Sequence, residues 1–323
     1  MLVRLGFVAM SVHLKDASPS KTITRTRFEA LGDSQRALNA VRSLVEINAQ
    51  NTLRLLRYCG SRGIHLYRLT SKLVPLATIL LQTHELQELV SARALQLFSE
   101  CGETVKEQHM RISAHPDHFT VLGSTNPSVV ESAILNLRYH HEILELMGLS
   151  DSCYQLVLHV GSAAGGKEAA IKRFAETFEK LPPMLQRRLI LENDDKTYTT
   201  SETLSLCQQL KIPMVFDVHH MICNGVPDDT LLLPEILRTW DGQTFPPKFH
   251  FSSPRSPQSP RAHADYIDPC SFLEFLMQLK NAGAQQADIM LEAKQKDEAL
   301  FTLMRFLSDR KDIQPIDGGS FMV

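Results

Sequence analysis

The segment LENDDKTYTT, residues 191–200, places three carboxylates within four positions directly after an apolar segment. The acids are Glu192, Asp194 and Asp195, and neither glycine nor proline separates them from the apolar residues. Like charges repel one another, and burying an unpaired carboxylate is costly. The segment therefore predicts either a solvated turn or a site in which a positive ion lies among the acids.

Histidine, aspartate and glutamate also stand at the ends of other short apolar runs. Neutral imidazole and carboxylate groups are the usual ligands of zinc, manganese and related divalent ions. A single histidine at such a place is more often a hydrogen-bonded rim residue, but a whole set at equivalent places favours a metal centre. The candidates chosen by position are His115, His159, Glu192, Asp217, His220, His250 and Glu292, with His263 as a further candidate on the loop after His250.

The segment FDVHH offers two of these candidates in close succession. Asp217 and His220 are three positions apart, which lets the chain turn from a strand into a loop and hold two neighbouring ions. His219 receives no role, and Cys223 is expected to pack in the core rather than to bind metal. In LENDDKTYTT only Glu192 has a strand-end position, so the three residues after it are expected to orient groups or to face solvent.

Eight apolar runs precede most of these polar residues and alternate with helical patterns. Residues 34–59 and 128–148 have the apolar spacing of amphipathic helices, and Thr199 with Glu202 forms a capping box before another. Parallel strands need long crossovers, and eight of them favour an α/β fold of the closed (β/α)8 TIM-barrel type over an open doubly wound sheet. In a barrel all strand ends open onto one face, where active sites are built. The predicted strands are 2–7, 64–71, 109–116, 155–162, 188–195, 213–220, 248–254 and 288–295.

The composition is typical of a globular protein without membrane spans. The chain has 323 residues, a net charge of -2, 43% apolar residues and 22% charged residues. We expect a single domain over 1–323 with a C-terminal tail at about 308–323. No apolar run approaches the roughly 20 residues of a membrane helix. The six cysteines are scattered without a CxxC pair, which indicates reduced thiols and a cytoplasmic protein.

Two loops carry basic residues that would suit a polyanion. Both follow predicted strands, so we expect both on the same face as the metal ligands, although solvated surface loops remain the alternative. The glycine-rich segment 161–170 lacks a phosphate-loop pattern and is interpreted as a plain strand-to-helix turn. The basic residues are Lys15, Lys21, Arg25 and Arg27 in the first loop and Arg255 and Arg261 in the second, which contains no acid of its own.

From Arg4 to about Leu300 the chain resembles the UV damage endonucleases of bacteria and fungi. The resemblance implies a (β/α)8 barrel related to abasic-site endonucleases, with a multinuclear site that is usually activated by manganese. It further implies nicking of DNA on the 5′ side of ultraviolet photoproducts, which leaves a 3′-hydroxyl and starts excision repair. The blocks LENDDKTYTT and EAKQKD are specific to it. The remaining matching segments are LYRLTSKLVPLAT, SAHPDHFTVL, FDVHH, HFSSP, RAHADY and IMLEA.

The matching motifs imply the same eight ligands for two or three divalent ions, with Mn2+ first among them. Such ions activate water, polarise the phosphate and stabilise the leaving 3′-oxygen. Glu192 and Glu292 are the expected bridging carboxylates, and Asp217 completes the catalytic acids. Lys248 matches a lysine that is carboxylated in some members, which would make it a metal ligand. It precedes His250 by two residues, so both face the same side of a strand.

The resemblance also implies residues that probe the lesion and wedge the duplex. His118 and Phe119 stand where many members have glutamine followed by an aromatic residue, and histidine can still hydrogen-bond and stack. The segment VAMSVHL lacks an asparagine that many members carry after the first strand. Phe7, Tyr67 and Phe119 are the candidate stacking residues, and simple core packing is the alternative for each.

These observations predict a metal-dependent DNA repair endonuclease. It would act as a monomer on damaged double-stranded DNA, in the cytoplasm at the nucleoid, and nick immediately 5′ to cyclobutane dimers and 6-4 photoproducts. A metal-dependent sugar isomerase on the same barrel is the alternative, but it predicts a closed pocket, whereas two basic, proline-rich loops indicate an open groove. A DNA-binding module without catalysis is disfavoured by the complete ligand set.

Overall fold

Eight parallel strands pair with their neighbours and close into a barrel, because the last of them, β10, hydrogen-bonds to β1. The computed structural model describes residues 1–225 and 229–323. It confirms the predicted (β/α)8 barrel and all eight predicted strands. The barrel strands are β1 (Leu2–Val8), β2 (Leu66–Leu69), β3 (Arg111–Ala114), β4 (Gln155–His159), β5 (Leu189–Glu192), β6 (Met214–Asp217), β7 (Lys248–Phe251) and β10 (Gln286–Leu291).

Four further strands lie outside the barrel. β8 (Pro254–Ser256) and β9 (Ser259–His263) form an antiparallel hairpin in a segment expected to be a loop. A two-stranded hairpin tolerates its prolines, which cannot donate to a ladder, because its edges are unpaired. β12 (Ser320–Met322) pairs antiparallel with β1 and with β11 (Gln314–Pro315). The segment expected to be a tail therefore extends the sheet.

The helices surround the barrel and largely match the sequence patterns. Thr199 Oγ1 accepts a hydrogen bond from the Glu202 amide, and the Glu202 carboxylate accepts one from the Thr199 amide, so the predicted capping box is confirmed. Over the described residues, no helix is both long and apolar enough to cross a bilayer. The helices are α1 (Arg25–Glu29), α2 (Ser34–Ser61), α3 (Ala77–Leu80), α4 (Leu86–Leu89), α5 (Ala92–Glu107), α6 (Pro127–Leu146), α7 (Lys167–Glu179), α8 (Pro183–Arg188), α9 (Thr200–Leu210), α10 (Val218–Asn224), α11 (Leu233–Arg238), α12 (Pro269–Asn281) and α13 (Lys296–Ser308), with a 3-10 turn at Asp229–Leu232.

The inside of the barrel explains why polar groups collect at one end. Val157, Ile190 and Val215 form an inner apolar cluster with Trp240, separate from the main core between sheet and helices. Because side chains alternate along a strand, the residue two positions later lies on the same inner face. Those later residues are His159, Glu192 and Asp217.

The opposite end of the barrel is filled by charged groups that are paired with one another. The Asp288 carboxylate is fully buried and accepts from Arg4 Nε at 2.7 Å and from the Arg111 guanidinium at 2.8 Å. Arg111 also donates to the Gln155 side chain and lies over the Trp240 ring. Burying these ions is tolerable because each is paired and hydrogen-bonded. Chemistry is therefore left to the carboxyl ends of the strands.

Candidate metal centre

Glu192, at the end of β5, lies at the centre of a ring of histidines. Its carboxylate is 1% exposed, with Oε2 2.9 Å from His115 Nε2 and 3.6 Å from His159 Nε2. Its other oxygen, Oε1, lies 2.8 Å from His250 Nδ1 and 3.4 Å from His220 Nδ1. Five strands or strand–helix junctions thus deliver one carboxylate and four imidazoles to a single point, as the strand-end positions predicted.

Two further carboxylates flank Glu192. Asp217 is fully buried at the N-terminus of α10, where one oxygen accepts from the His220 amide at 2.8 Å. Glu292 follows β10, with Oε1 3.3 Å from His250 Nδ1 and Oε2 3.9 Å from His263 Nδ1. All eight predicted ligands therefore lie in one connected cluster, which we call the candidate metal centre.

Backbone carbonyls orient three of its histidines. His115 Nδ1 lies 3.0 Å from the Pro116 carbonyl oxygen, and His220 Nδ1 lies 2.9 Å from that of Asn193. His263 Nδ1 lies 2.8 Å from the main-chain oxygen of Glu292. With Nδ1–H committed to a carbonyl, Nε2 is the nitrogen that can bind a metal once it has lost its proton, which is the arrangement that metal-binding histidines adopt.

Two buried polar atoms show that a cation fits the site. Asp217 Oδ2 and His250 Nε2 are buried, and neither has a hydrogen-bond partner. Leaving such atoms unpaired is costly, and a divalent ion would satisfy both. Two groups of residues each bring three ligand atoms within 4.8 Å of one another; the first is His115, His159 and Glu192, and the second is Glu192, Asp217 and His250. Glu192 is common to both groups, which suits the bridging role expected of it.

The charges of the metal-free cluster are unevenly distributed. Burial raises the pKa of Asp217 well above its ordinary value, an effect that the charges of Glu192 and Glu292 reinforce. Burial opposes ionisation of Glu192 as well, but His250, His159 and His115 hold its pKa well below its ordinary value. His220 is also buried, yet the surrounding carboxylates raise its pKa to about 9. The metal-free cluster therefore holds protons that bound cations would displace.

The other polar residues of LENDDKTYTT have structural roles. The Asn193 side chain donates to the Asp217 carbonyl and accepts from the Asp217 amide, both at 2.9 Å, which fixes the start of α10. Asp194 accepts from the amides of Lys196 and Tyr198 and thereby forms a turn. Asp195 pairs with Arg261. The three acids of this segment can lie close together in the sequence because each interacts with different donors.

Lys248 lies fully buried beneath the centre. Its Nζ donates to Ser113 Oγ at 2.6 Å. Burial, together with the charges of Arg111 and Arg68, lowers the pKa of the Lys248 amine well below its ordinary value. A neutral amine is the form that carboxylation requires, so the environment is compatible with the modification that the family resemblance implies.

Arg68, the residue before the last in β2, belongs to the site and was not among the residues predicted from the sequence. Its guanidinium donates to Glu292, and both side chains line the cavity above the centre. The available signal in the sequence is its position, since it stands near the end of a barrel strand as the candidate ligands do. Ligand chemistry does not single it out, because a guanidinium cation does not bind metal ions.

Two candidate stacking residues are placed incorrectly by the sequence analysis. Phe7 and Tyr67 are both fully buried, and their rings meet edge to face at 5.5 Å. The Tyr67 hydroxyl donates to the Ala9 carbonyl at 2.7 Å. Both side chains point away from the barrel axis into the helical layer, so neither can stack on a base in this structure.

His118 and Phe119 lie at the mouth instead. Phe119 is 48% exposed, so it does not pack under its loop, and its ring meets that of His118 at 5.8 Å. Their loop is fixed on both sides. Ser71 donates to Asp117 at 2.8 Å, and Asn136 donates to Thr120 at 2.6 Å. An exposed aromatic residue is thus held on a rigid support.

The six basic candidates are all exposed, but two of them are paired with acids. Arg25 forms an ion pair with Glu29 at 2.7 Å, within α1. Arg261 lies 3.3 Å from Asp195, so the hairpin, which has no acid of its own, receives one from the loop after β5. Both pairs weaken the prediction that Arg25 and Arg261 bind DNA phosphates. Within the described residues, the candidates without an acidic partner are Lys15, Lys21, Arg27 and Arg255.

Cys223 and His219 form a small cluster beside the centre. Cys223 is half-buried rather than packed in the core, and its Sγ lies 3.6 Å from His219 Nε2. The His219 ring lies edge-on to that of His263, at 5.1 Å. Burial lowers the pKa of His219 to about 4, so this imidazole is neutral. His219 therefore packs as a neutral ring against the proposed ligand His263.

Comparisons with known proteins agree over nearly the full length. The chain matches the family described as UV-endonuclease UvdE over residues 3–321. A UV DNA damage endonuclease of Bacillus cereus (strain B4264) is 42% identical over 319 residues, which cover 98% of each chain. The crystal structure of SacUVDE aligns with a TM-score of 0.81 at 28% identity and covers 95% of this chain and 98% of that one. Endonuclease IV from Thermus thermophilus shares the fold, with a TM-score of 0.56 at 15% identity over 95% of this chain and 100% of that one.

Proposed function

Since this chain belongs to the UV-endonuclease UvdE family, we propose that it is a metal-dependent DNA repair endonuclease. It nicks damaged double-stranded DNA immediately 5′ to ultraviolet photoproducts, both cyclobutane dimers and 6-4 photoproducts. The products are a 3′-hydroxyl and a 5′-phosphate, from which excision repair proceeds. The observation that carries this proposal is the buried Glu192 carboxylate, which four histidines and two further acids surround at the open end of the barrel.

Two to three divalent ions, Mn2+ first among them, are the proposed cofactors. When bound, they supply an activated water, an electrophile for the phosphate and a counter-charge for the leaving 3′-oxygen. Glu192 and Glu292 are the proposed bridging acids. The remaining proposed ligands are Asp217, His115, His159, His220, His250 and His263, with Lys248 in its carboxylated form.

The protein's own contribution is to hold these groups in place before substrate arrives. Asn193 fixes the main chain of Asp217 through two hydrogen bonds of 2.9 Å. Carbonyl oxygens set the tautomers of His115, His220 and His263. Such preorganisation avoids reorganisation during the reaction, which is a large part of electrostatic catalysis.

The rim of the open end is suited to a DNA backbone. The loop after β1 is tied down by the buried Asn48, which accepts from the Lys21 amide at 2.7 Å and donates to its carbonyl at 2.9 Å. The neighbouring Ser20 hydroxyl lies 2.8 Å from that of Thr70, which lines the cavity. Lys21 is therefore presented beside the catalytic cavity. An exposed, unpaired cation at this place supports a phosphate contact.

Recognition of the lesion is assigned to His118 and Phe119. Extruding a base pair is less costly where stacking is already damaged, and an aromatic side chain can replace the lost stacking. Phe119 is exposed and its loop is anchored to α6, so it can enter a duplex without first being released from the core.

The alternative of a sugar isomerase has less support. Such an enzyme needs a cavity that closes around a small substrate, whereas this cavity is open at the carboxyl ends of the strands. The segment after β1 carries Lys15, Lys21 and Arg27 exposed, and its Ser20 contacts the cavity residue Thr70. Unpaired cations around an open cavity favour an extended polyanion.

One assay tests the proposed function directly. The Mn2+-loaded protein is incubated with an end-labelled duplex that contains a single cyclobutane dimer, and the nick is mapped at nucleotide resolution. We expect one nick at the phosphodiester immediately 5′ to the dimer, no nick in the undamaged duplex and no nick with Glu192→Gln. Cleavage of both duplexes at equal rates, or intact damaged DNA in the presence of loaded protein, would show that the proposal is wrong.

A further inference from the structure

The cavity above the candidate metal centre contains a cation whose presence metal ligation does not explain. The cavity has a volume of about 340 Å³, and its lining includes Glu192, Glu292 and four histidines. Among the described residues that line it, Arg68 is the one lysine or arginine. Its side chain is 12% exposed, so part of the guanidinium reaches the open space.

Arg68 is held against Glu292. Its NH1 donates to Glu292 Oε1, and within residues 1–225 and 229–323 the side chain donates to no other acceptor. Guanidinium has five N–H donors in a planar fork, so one bond leaves most of this capacity unused. The backbone of Arg68 is fixed, since its carbonyl accepts from the Ala9 amide at 3.0 Å and β2 lies between β1 and β3. The strand is therefore rigid, and the side chain is the part that can move.

The partner of Arg68 is one of the acids proposed to hold a divalent ion. In the metal-free protein the guanidinium neutralises Glu292, which is the role that the ion would take over. An arginine and a divalent ion on the same carboxylate repel each other across a few ångströms of low-dielectric space. Metal binding should therefore displace the guanidinium from Glu292 into the cavity, where a phosphodiester anion would lie.

We propose that Arg68 is a further catalytic residue, which exchanges Glu292 for a non-bridging oxygen of the scissile phosphate when the metal centre fills. This inference rests on the proposed function. In the reaction, a water oxygen bonds to phosphorus, the bond from phosphorus to the 3′-oxygen breaks, and a proton from that water passes to the 3′-oxygen. Arg68 exchanges no proton. It donates hydrogen bonds to the oxygen on which negative charge increases in the transition state.

The proposal makes two linked predictions that point in opposite directions. Arg68→Gln removes a competitor for Glu292, so it should bind Mn2+ several-fold more tightly than the unmodified protein. The same substitution removes a transition-state donor, so kcat for nicking at saturating Mn2+ should fall about 100-fold. A residue that merely positioned Glu292 would have the opposite effect on Mn2+ affinity.

Mn2+ affinity is measured by electron paramagnetic resonance of the free ion, which requires no DNA and no activity. Nicking is measured on the single-dimer duplex at saturating Mn2+, with kcat and KM determined separately. Arg68→Lys keeps the charge without the fork and should recover only part of kcat. Guanidinium ion at millimolar concentration should partly rescue Arg68→Ala. Arg57→Gln, which removes a surface pair with Glu100, is the matched control and should leave both measurements unchanged.

Several outcomes would overturn the inference. Weaker Mn2+ binding by Arg68→Gln, with kcat restored by more Mn2+, would make Arg68 a positioning residue. Normal kcat in a variant with an unchanged melting temperature would exclude a phosphate contact. By contrast, an unmodified protein that binds Mn2+ and does not nick would refute the proposed function itself, and the metal titration keeps these failures apart. If Arg68→Gln does not fold, the test is made with Arg68→Lys, because the lysine charge preserves the ion pair with Glu292.

Discussion

Binding of Mn2+ should release at least one proton per chain at pH 7.5, and His220 is the principal source. Its Nδ1 lies 2.9 Å from the Asn193 carbonyl, 3.4 Å from Glu192 and 3.8 Å from Asp217. Burial opposes its charge, but these acids raise its pKa from 6.5 to about 9. At pH 7.5 roughly 97% of metal-free chains then carry the proton. A metal ligand must be neutral imidazole, so this proton has to leave.

The size and sign of the effect follow from the same shift. The rise of the His220 pKa from 6.5 to about 9 corresponds to about 3 kcal/mol between the two protonation states. In the metal-free protein this is stability that is fully present below pH 6.5 and is lost as the pH rises through about 9. Mn2+ affinity has the opposite dependence and should rise about tenfold per pH unit for each proton released, between pH 7 and 8.5. Asp217, whose pKa is also raised, is the source of any second proton.

Calorimetry measures this release directly. The heat of Mn2+ binding is recorded at pH 7.5 in HEPES and in Tris, whose ionisation enthalpies differ, and the difference gives the number of protons. We expect a value between one and two, reduced by about one in His220→Gln. His118→Gln, an exposed residue outside the candidate metal centre, should leave it unchanged. Equal heats in both buffers, with Mn2+ bound, would refute the electrostatic reasoning.

Three further predictions concern catalysis and DNA binding. Glu192→Gln should retain the fold but lose nicking activity, and elemental analysis should show that it no longer binds Mn2+. Bound metal at the original stoichiometry would contradict the role of Glu192 as a ligand shared by two ions. Lys21→Ala should weaken binding to damaged and undamaged duplex alike and flatten the salt dependence of binding by about one unit. Arg25→Ala should have less effect, because Arg25 is already paired with Glu29. Selective loss of damaged-DNA binding would instead make Lys21 a residue that recognises the lesion. Phe119→Ala should lower affinity for damaged duplex about 10- to 100-fold with an unchanged melting temperature, because the ring is exposed; normal affinity would place the wedge elsewhere.

The sequence by itself determined the barrel and the positions of its polar strand ends. Both follow from local patterns, since a run of apolar residues bounded by helical segments predicts a strand wherever its partners lie. Val157 with His159 and Ile190 with Glu192 show the rule, because strand alternation places each polar residue above an inner apolar one. Eight such strands leave few topologies other than a closed barrel. The ligand cluster followed from that closure.

Only the tertiary structure decided which side chains of each strand point to the barrel axis. Both faces of a barrel strand are buried, so an apolar pattern does not distinguish the axis from the helical layer. Phe7 and Tyr67 were misplaced for this reason, since both lie in the helical layer, whereas their neighbour Arg68 faces the cavity.

Charge pairing between distant segments was equally beyond the sequence. Arg68 and Glu292 are 224 positions apart, and Asp195 meets Arg261 on a hairpin that the proline-rich sequence did not suggest. Coulomb energy depends on distance and on local dielectric, and both are set by how strands β2, β5 and β10 close on one another. The sequence therefore supplied the candidate ligands, and the fold decided which cations lie beside them.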